Sequence, residues 1–293
     1  MSLMGILDRV GDARSVDKVV DPARKAVLAV LRPPAVKDFL HGTWLGHPLH
    51  PVLVQVPVGS WISAGVLDLV PAMRPAATML IGTGVATALP AALAGAADWS
   101  DQEAGVRRLG AVHAGLNTAA LALYVGSLTA RGRRRGGLGR FLSYCGLGLA
   151  GTSAAIGGHM SYAQASGASH SATAAQALTH DWLDLGPLDD LPEGRPALRT
   201  GTGGGVAVPL AVVRRGARVD VFVGNCAHLS GPLYEGDVEE VRGSACLVCP
   251  WHGSAFDLDS GEPRQGPSGN PQEKLEVRME AGRVMARLPA RHR

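Results

Sequence analysis

The chain has 293 residues, a formal net charge of +3, 18% charged residues and only 4% aromatic ones. That length accommodates about two domains, and so small a net charge points away from nucleic acid or any other polyanion as a partner. A mean hydropathy of +0.11 is high for a chain that lives wholly in water, and it conceals a sharp division along the sequence.

Residues 1–46 mix acids, bases and apolar residues ("MSLMGILDRVGDARSVDKVVDPARKAVLAVLRPP") and lack the uninterrupted apolar core of a signal peptide. They read as one or two amphipathic helices, lying on a membrane or packed on a neighbour. Residues 47–160 hold four nearly uncharged stretches. Pro51–Val70 contains one acid, Asp68, and Ala76–Ala97 contains no charge. Ala111–Ala130 has only His113 and Asn117 as strongly polar side chains, and Phe141–Gly158 is uncharged. Each meets or approaches the roughly 20 residues that a helix needs to cross a bilayer. A soluble bundle of buried Ala-rich helices is the alternative, but four such runs with short connections favour an all-α four-helix transmembrane bundle. Internal Gly and Pro residues such as Gly84 and Pro90 suit it, because membrane helices tolerate them. Residues 161–180 are Ala/Ser-rich and read as a linker or a frayed helix. Over 181–293, Gly-punctuated β-branched runs ("GGGVAVPLAVV", "ARVDVFV", "KLEVRM") predict short antiparallel strands in a small all-β domain.

Inside the β region, "CAHLSG" and "CPWHGSAFD" each bring a thiol close to an imidazole: Cys226 with His228, and Cys249 with His252. Two thiolates and two imidazoles suit either a structural zinc ion or a 2Fe-2S cluster with two Cys on one iron and two His on the other. Spacing alone leaves both open. The flanking residues "CAHLSGPLYEG" and "CPWHGSAFDLDSGEP" closely resemble the Rieske family, and the likeness runs from about Trp182 to Leu288.

That resemblance implies a 2Fe-2S cluster with Cys226 and Cys249 on an inner iron and His228 and His252 on an outer, solvent-near one. The 20 residues between His228 and Cys249 exceed the compact pattern, and a longer hairpin around "EVRGSACLV" would absorb them. Quinol-oxidising members carry an extra Cys in each loop; none is present here, so the pattern is similar to the ferredoxin and oxygenase branch. Ser254 is a candidate donor toward cluster sulfur, whereas Phe256 stands where high-potential members use Tyr. A complete Rieske oxygenase is not expected, because little sequence follows Leu288. Cys246 and Cys145 read as buried packing thiols, and His292 receives no role.

The membrane half carries His41, His47, His50, His113 and His159. In an up-and-down arrangement the first helix starts after His50, the second ends at Asp98, the third starts near His113 and the fourth ends at His159. These positions then share one membrane face, from which the β domain also leaves. Ionisable groups at membrane helices are candidate functional groups, so His50, His113 and His159 form a candidate second metal, haem or quinone site. "GHPLHPVLVQVPVGSW" and "GGHMSY" resemble an uncharacterised bacterial membrane family with a doubled His-Pro segment. That family is itself similar to bundles holding haem b between His pairs, a likeness at fold level only.

The expectation is a multi-pass cell-membrane electron-transfer protein that meets the lipid bilayer and a redox partner protein or quinone. The alternative is a redox-sensing or scaffold module whose membrane half is only an anchor. The Arg-rich "RGRRRGGLGR" would place both termini outside if it were cytoplasmic, yet the opposite side also carries bases. With no export leader before the first helix, intracellular cluster assembly and no loop disulfide, a cytoplasmic Rieske domain is the expectation.

Overall fold

The computed structural model describes residues 3–203 and 205–289; His292 lies outside them. The chain forms two compact units. One comprises the chain up to Arg32 together with Leu49–Ser166, and the other comprises Pro33–Pro48 and the chain from Gly167 onward.

The helical region is richer than a four-helix bundle. It contains α1 (Leu3–Asp12), α2 (Asp17–Val30), α3 (Pro34–His41), α4 (His50–Leu53), α5 (Gln55–Leu67), α6 (Arg74–Ser100), α7 (Ala104–Gly132) and α8 (Gly136–Tyr162). Three helical spans among the described residues are long and apolar enough to cross a membrane: His50–Leu67, Pro71–Ser100 and Ala104–Gly132. The α8 helix is as long as α6, at 27 residues. It falls outside that set because Gly, Ser and Thr dilute its apolar content.

In α6 the inward stripe is mostly small (Ala77, Gly84, Ala91, Ala94, Ala97, Ser100), with Ile81 its one large member, while Met79 and Leu89 face outward. Large apolar side chains outside and small ones inside are the pattern of helices solvated by lipid, where close backbone approach replaces the hydrophobic effect. The α1 and α2 helices pack on this bundle rather than standing apart. Leu7 is buried against Leu109 and Ile156. Asp17 accepts from both Nε and Nη2 of Arg108 at 2.7 Å, and the Gly11 carbonyl accepts from Arg108 Nη1 at 2.7 Å.

The four long helices form two equivalent hairpins, α5–α6 and α7–α8. His50 Nδ1 donates to the Ala91 carbonyl at 2.8 Å, and His113 Nδ1 lies 2.8 Å from the Ser153 carbonyl. One turn beyond each acceptor stands a glycine, Gly95 or Gly157, where a Cβ would come within 2.8 Å and 3.2 Å of the imidazole. Farther along, Trp61 fills the space left by Gly84, and Tyr124 that left by Gly146. Equivalent residues also meet each other. The His50 and His113 rings stand edge to face at 6.4 Å, and Trp61 stacks on Tyr124 at 4.3 Å. Asp68 accepts from Arg131 Nη1 at 2.9 Å. Self-contact between equivalent positions marks a pseudo-two-fold axis, here parallel to the helices. Eighteen helical residues rise about 27 Å, so the imidazoles and the ion pair lie near opposite ends of the 18-residue His50–Leu67 span.

The second unit contains a six-stranded antiparallel sheet and a four-stranded one. The larger has the order β1 (Leu183–Pro187), β10 (Arg283–Arg287), β9 (Lys274–Glu280), β4 (Arg218–Val223), β3 (Val206–Arg215) and β2 (Pro196–Gly203). The smaller has the order β5 (Asp237–Val241), β6 (Ser244–Val248), β7 (Ala255–Asp257) and β8 (Pro263–Gln265). Alternation buries Val208, Leu210 and Val212 of β3 against Val221, Leu275 and Val284. The extra length between the cluster motifs is the β5–β6 hairpin. Arg242 (φ 53°) and Gly243 (φ 76°) both take positive φ there, as a two-residue type I′ turn requires.

Two segments differ from expectation. Within 161–180, α9 (His170–Ala175) is capped by Ser169 and joined to the β unit, with His170 N donating to the Ala227 carbonyl at 3.0 Å. Within 1–46, residues from Pro33 belong to the β unit. Gly266 N donates to Asp38 Oδ1 at 2.8 Å, Asp38 also pairs with Arg242, and His41 is 1% exposed beside Gly266.

Candidate iron–sulfur centre

Two loops meet where the sheets adjoin: 224–236 after β4, and 249–254 between β6 and β7. They are built alike. Cys226 N donates to the Gly231 carbonyl at 2.8 Å, and Ser230 N returns to the Cys226 carbonyl at 2.9 Å. In the second loop, Cys249 N donates to the Ser254 carbonyl at 2.9 Å, and Gly253 N to the Cys249 carbonyl at 3.0 Å. The residue closing each ring, Ser230 (φ 60°) or Gly253 (φ 74°), is left-handed. This curl turns the next amides onto the sulfur. The N–H groups of His228 and Leu229 donate to Cys226, and those of Trp251 and His252 to Cys249. Such donors favour thiolate over thiol. Bonding between the two cysteines pulls Cys249 down to about 7 and pushes Cys226 well up, because the pair holds one shared proton.

Both cysteines are buried, at 1% and 3% exposure. His228 is half-buried and His252 exposed, with their rings perpendicular and 5.1 Å apart. Gly231 makes the meeting possible, since a Cβ there would lie 2.8 Å from the Cys249 sulfur. Two buried sulfurs together with two more exposed imidazoles whose rings are 5.1 Å apart form a donor set that fits two irons.

Residues 46–170 match the family described as a predicted membrane protein (DUF2231), and residues 181–277 match the Rieske [2Fe-2S] domain. The Anthranilate 1,2-dioxygenase ferredoxin subunit of Burkholderia cepacia is 30% identical over 109 residues, 37% of this chain and 94% of that one. The chain belongs to the Rieske [2Fe-2S] family. Ferredoxin CarAc of Metapseudomonas resinovorans is 31% identical over 105 residues, 35% of this chain and 90% of that one. A solved complex of reduced oxygenase and oxidized ferredoxin in carbazole 1,9a-dioxygenase aligns at 28% identity with a TM-score of 0.33. It covers 39% of this chain and all of that one. The protein is therefore an iron–sulfur electron carrier, with a Rieske domain fused to a membrane domain.

Sequence reasoning missed the residue that braces the first Rieske loop. Buried Gln272 donates from Nε2 to the Val223 and Asn225 carbonyls at 2.7 and 2.9 Å, and its Oε1 accepts from Ala227 N at 2.8 Å. Its only signal is the "NPQ" stretch, which carries no metal chemistry. Ser254 is fully buried and its Oγ accepts from Ser268 N at 3.0 Å, a bond that does not commit the hydroxyl proton. Phe256 lies fully buried in the apolar cluster that includes Cys226 and Cys249. Cys246 is a buried free thiol in β6, and Cys145 a free thiol in α8.

The membrane histidines are only partly brought together. His50 and His113 adjoin, while His159 Nε2 lies 3.7 Å from Asp8 Oδ1. His113 has both nitrogens engaged, Nδ1 at Ser153 and Nε2 with Asn117 Nδ2 at 3.1 Å. His47 Nδ1 donates to the Pro48 carbonyl at 3.0 Å.

Proposed function

We propose that the protein carries single electrons at a membrane through a 2Fe-2S centre held by Cys226 and Cys249 at one iron and His228 and His252 at the other. The pair of matched loops supports this reading: the same backbone curl supplies amide donors to both sulfurs and leaves both imidazoles toward solvent. Such a centre, when bound, supplies one-electron transfer. The amides of His228, Leu229, Trp251 and His252 hold charge on the sulfurs, and Leu233, Leu247 and Phe256 keep water from that side. His252 offers the exposed edge through which a partner exchanges the electron. The ferredoxin relatives support a soluble or membrane-held redox protein as that partner.

Within the membrane we read four crossings, with α8 alongside α7, and the Rieske domain on the cytoplasmic side. The latter rests on the lack of further cysteines in the cluster loops. Of the candidate residues His50, His113 and His159, the first two adjoin, and they suit a quinone better than haem. A quinol hydroxyl needs only one lone pair, which His50 Nε2 keeps while its Nδ1 donates to Ala91, whereas a haem held by both histidines also needs the lone pair that His113 already presents to Asn117. An optical difference spectrum of membranes containing the full chain tests this. Bleaching of the cluster on reduction and its recovery with an added quinone support the reading. A haem α-band would replace quinone by haem. No recovery with either acceptor would favour the sensor or anchor alternative.

A further inference from the structure

At the end of the bundle opposite His50 and His113, a cavity of about 350 Å³ is lined by Arg74, Thr78, Arg131, Arg134, Arg140 and the backbone of Gly136 and Gly137. Four guanidinium groups border it, and no acid does. Asp68 neutralises only Arg131, which also donates to Thr78 Oγ1 at 3.2 Å and Ser127 Oγ at 3.2 Å. Arg74 Nε is buried without an acceptor. A buried charged donor without a partner is unfavourable, so the arrangement calls for an anion that the protein itself does not provide.

The backbone points the same way. The α6 and α8 helices, 27 residues each, both begin at this cavity, and neither N-terminus has a side-chain cap. At α6 the Arg74 N–H already donates to the Pro71 carbonyl and Pro75 has none, so that terminus acts through its dipole; the dipoles of both helices attract negative charge, phosphate included. The pseudo-two-fold axis explains the coincidence: Arg74 and Gly136 are equivalent first residues of the second helix in each hairpin. Apolar side chains continue the surface beyond the rim. Met73 and Met79 flank the α6 side, and Leu138 and Phe141 the α8 side, at 46–76% exposure. A free phosphate has no use for them, but the acyl chains of a lipid do.

We propose that this cavity binds the headgroup phosphate of an anionic phospholipid, with Arg74, Arg140 and Arg134 as its ligands and the two helix N-termini beneath it. The full-length protein in phosphatidylcholine nanodiscs provides the test, by thermal unfolding as phosphatidylglycerol is added or as inorganic phosphate is titrated. Phosphatidylglycerol should raise the unfolding temperature, and Arg74→Gln/Arg140→Gln should weaken its apparent affinity at least tenfold. Arg133→Gln/Arg135→Gln removes two charges from the same loop without touching the cavity lining, and should leave affinity within twofold. Arg134→Gln, at an exposed position that risks little in folding, should show an intermediate loss. Equal weakening by both double variants would reduce the effect to general surface charge and overturn the site. No stabilisation by phosphatidylglycerol would also overturn it. Stabilisation by inorganic phosphate alone would keep the anion site but overturn the lipid as its occupant.

Discussion

At the level of single residues, the second loop tunes the centre through what Ser254 and Phe256 offer. Both are fully buried, so any hydroxyl there works in a medium of low polarity, where a donor toward sulfur stabilises the more negative reduced state. Ser254→Ala is expected to lower the midpoint potential and Phe256→Tyr to raise it, as measured by redox titration of the visible spectrum. Asp257 acts on stability instead. Burial alone would raise its pKa. The N–H groups of Ser260 and Asp259 and the Arg264 guanidinium outweigh that and bring it down to about 2. A carboxylate depressed from the ordinary 3.8 contributes its full stabilisation above pH 4, and this fades as pH falls through about 2. Linkage makes the effect about 2 kcal/mol. In urea unfolding, Asp257→Asn should therefore lose about 2 kcal/mol at pH 7, with the gap to the parent protein closing toward pH 2.

At the level of elements, glycine placement in α6 separates contact from tolerance. A Cβ at Gly84 would lie 2.2 Å from the Trp61 indole nitrogen, whereas one at Gly82 meets nothing within 4 Å. Gly84→Ala should destabilise the bundle by about 1–3 kcal/mol through overpacking. Gly82→Ala should be neutral or stabilise it by up to about 1 kcal/mol through helix propensity. Thermal unfolding in detergent would show the two variants moving in opposite directions or differing by several degrees. The β5–β6 hairpin was legible from the 20 residues between His228 and Cys249, whose excess a longer hairpin around "EVRGSACLV" absorbs. The α9 helix was legible only as an alternative to a linker. Its Ala/Ser-rich sequence has no amphipathic stripe, and it is held by backbone bonds to Ala227 and by packing under Gly203, where a Cβ would strike the Ala177 carbonyl.

At the level of the whole molecule, the division into a helical membrane region and a small all-β domain was visible in charge and periodicity, and the resemblance of the Cys/His motifs to the Rieske family identified the latter. The internal two-fold of the helical region was hidden. Identity survives at pairs such as His50 and His113, Gly84 and Gly146, or Gly95 and Gly157, but elsewhere equivalent positions preserve only shape and contact: Trp61 pairs with Tyr124, Ala91 with Ser153, and Asp68 with its opposite charge, Arg131. Opposite charges at equivalent positions make a buried bridge where identical ones would repel, so sequence self-similarity is lost where the symmetry matters most. The proximity of His50 and His113 follows from the same axis.

The central claim is that Cys226, His228, Cys249 and His252 hold a two-iron centre with mixed ligation. Electron paramagnetic resonance of the dithionite-reduced full-length protein tests it most directly, together with the His252→Ala and Cys246→Ser variants. The parent protein should give a rhombic signal whose average g lies below that of all-cysteine ferredoxins, because two imidazoles replace two thiolates on one iron. His252→Ala should abolish that signal and Cys246→Ser should leave it unchanged. A silent protein that instead carries one tightly bound zinc ion after anaerobic preparation would contradict the claim, as would a full signal in His252→Ala.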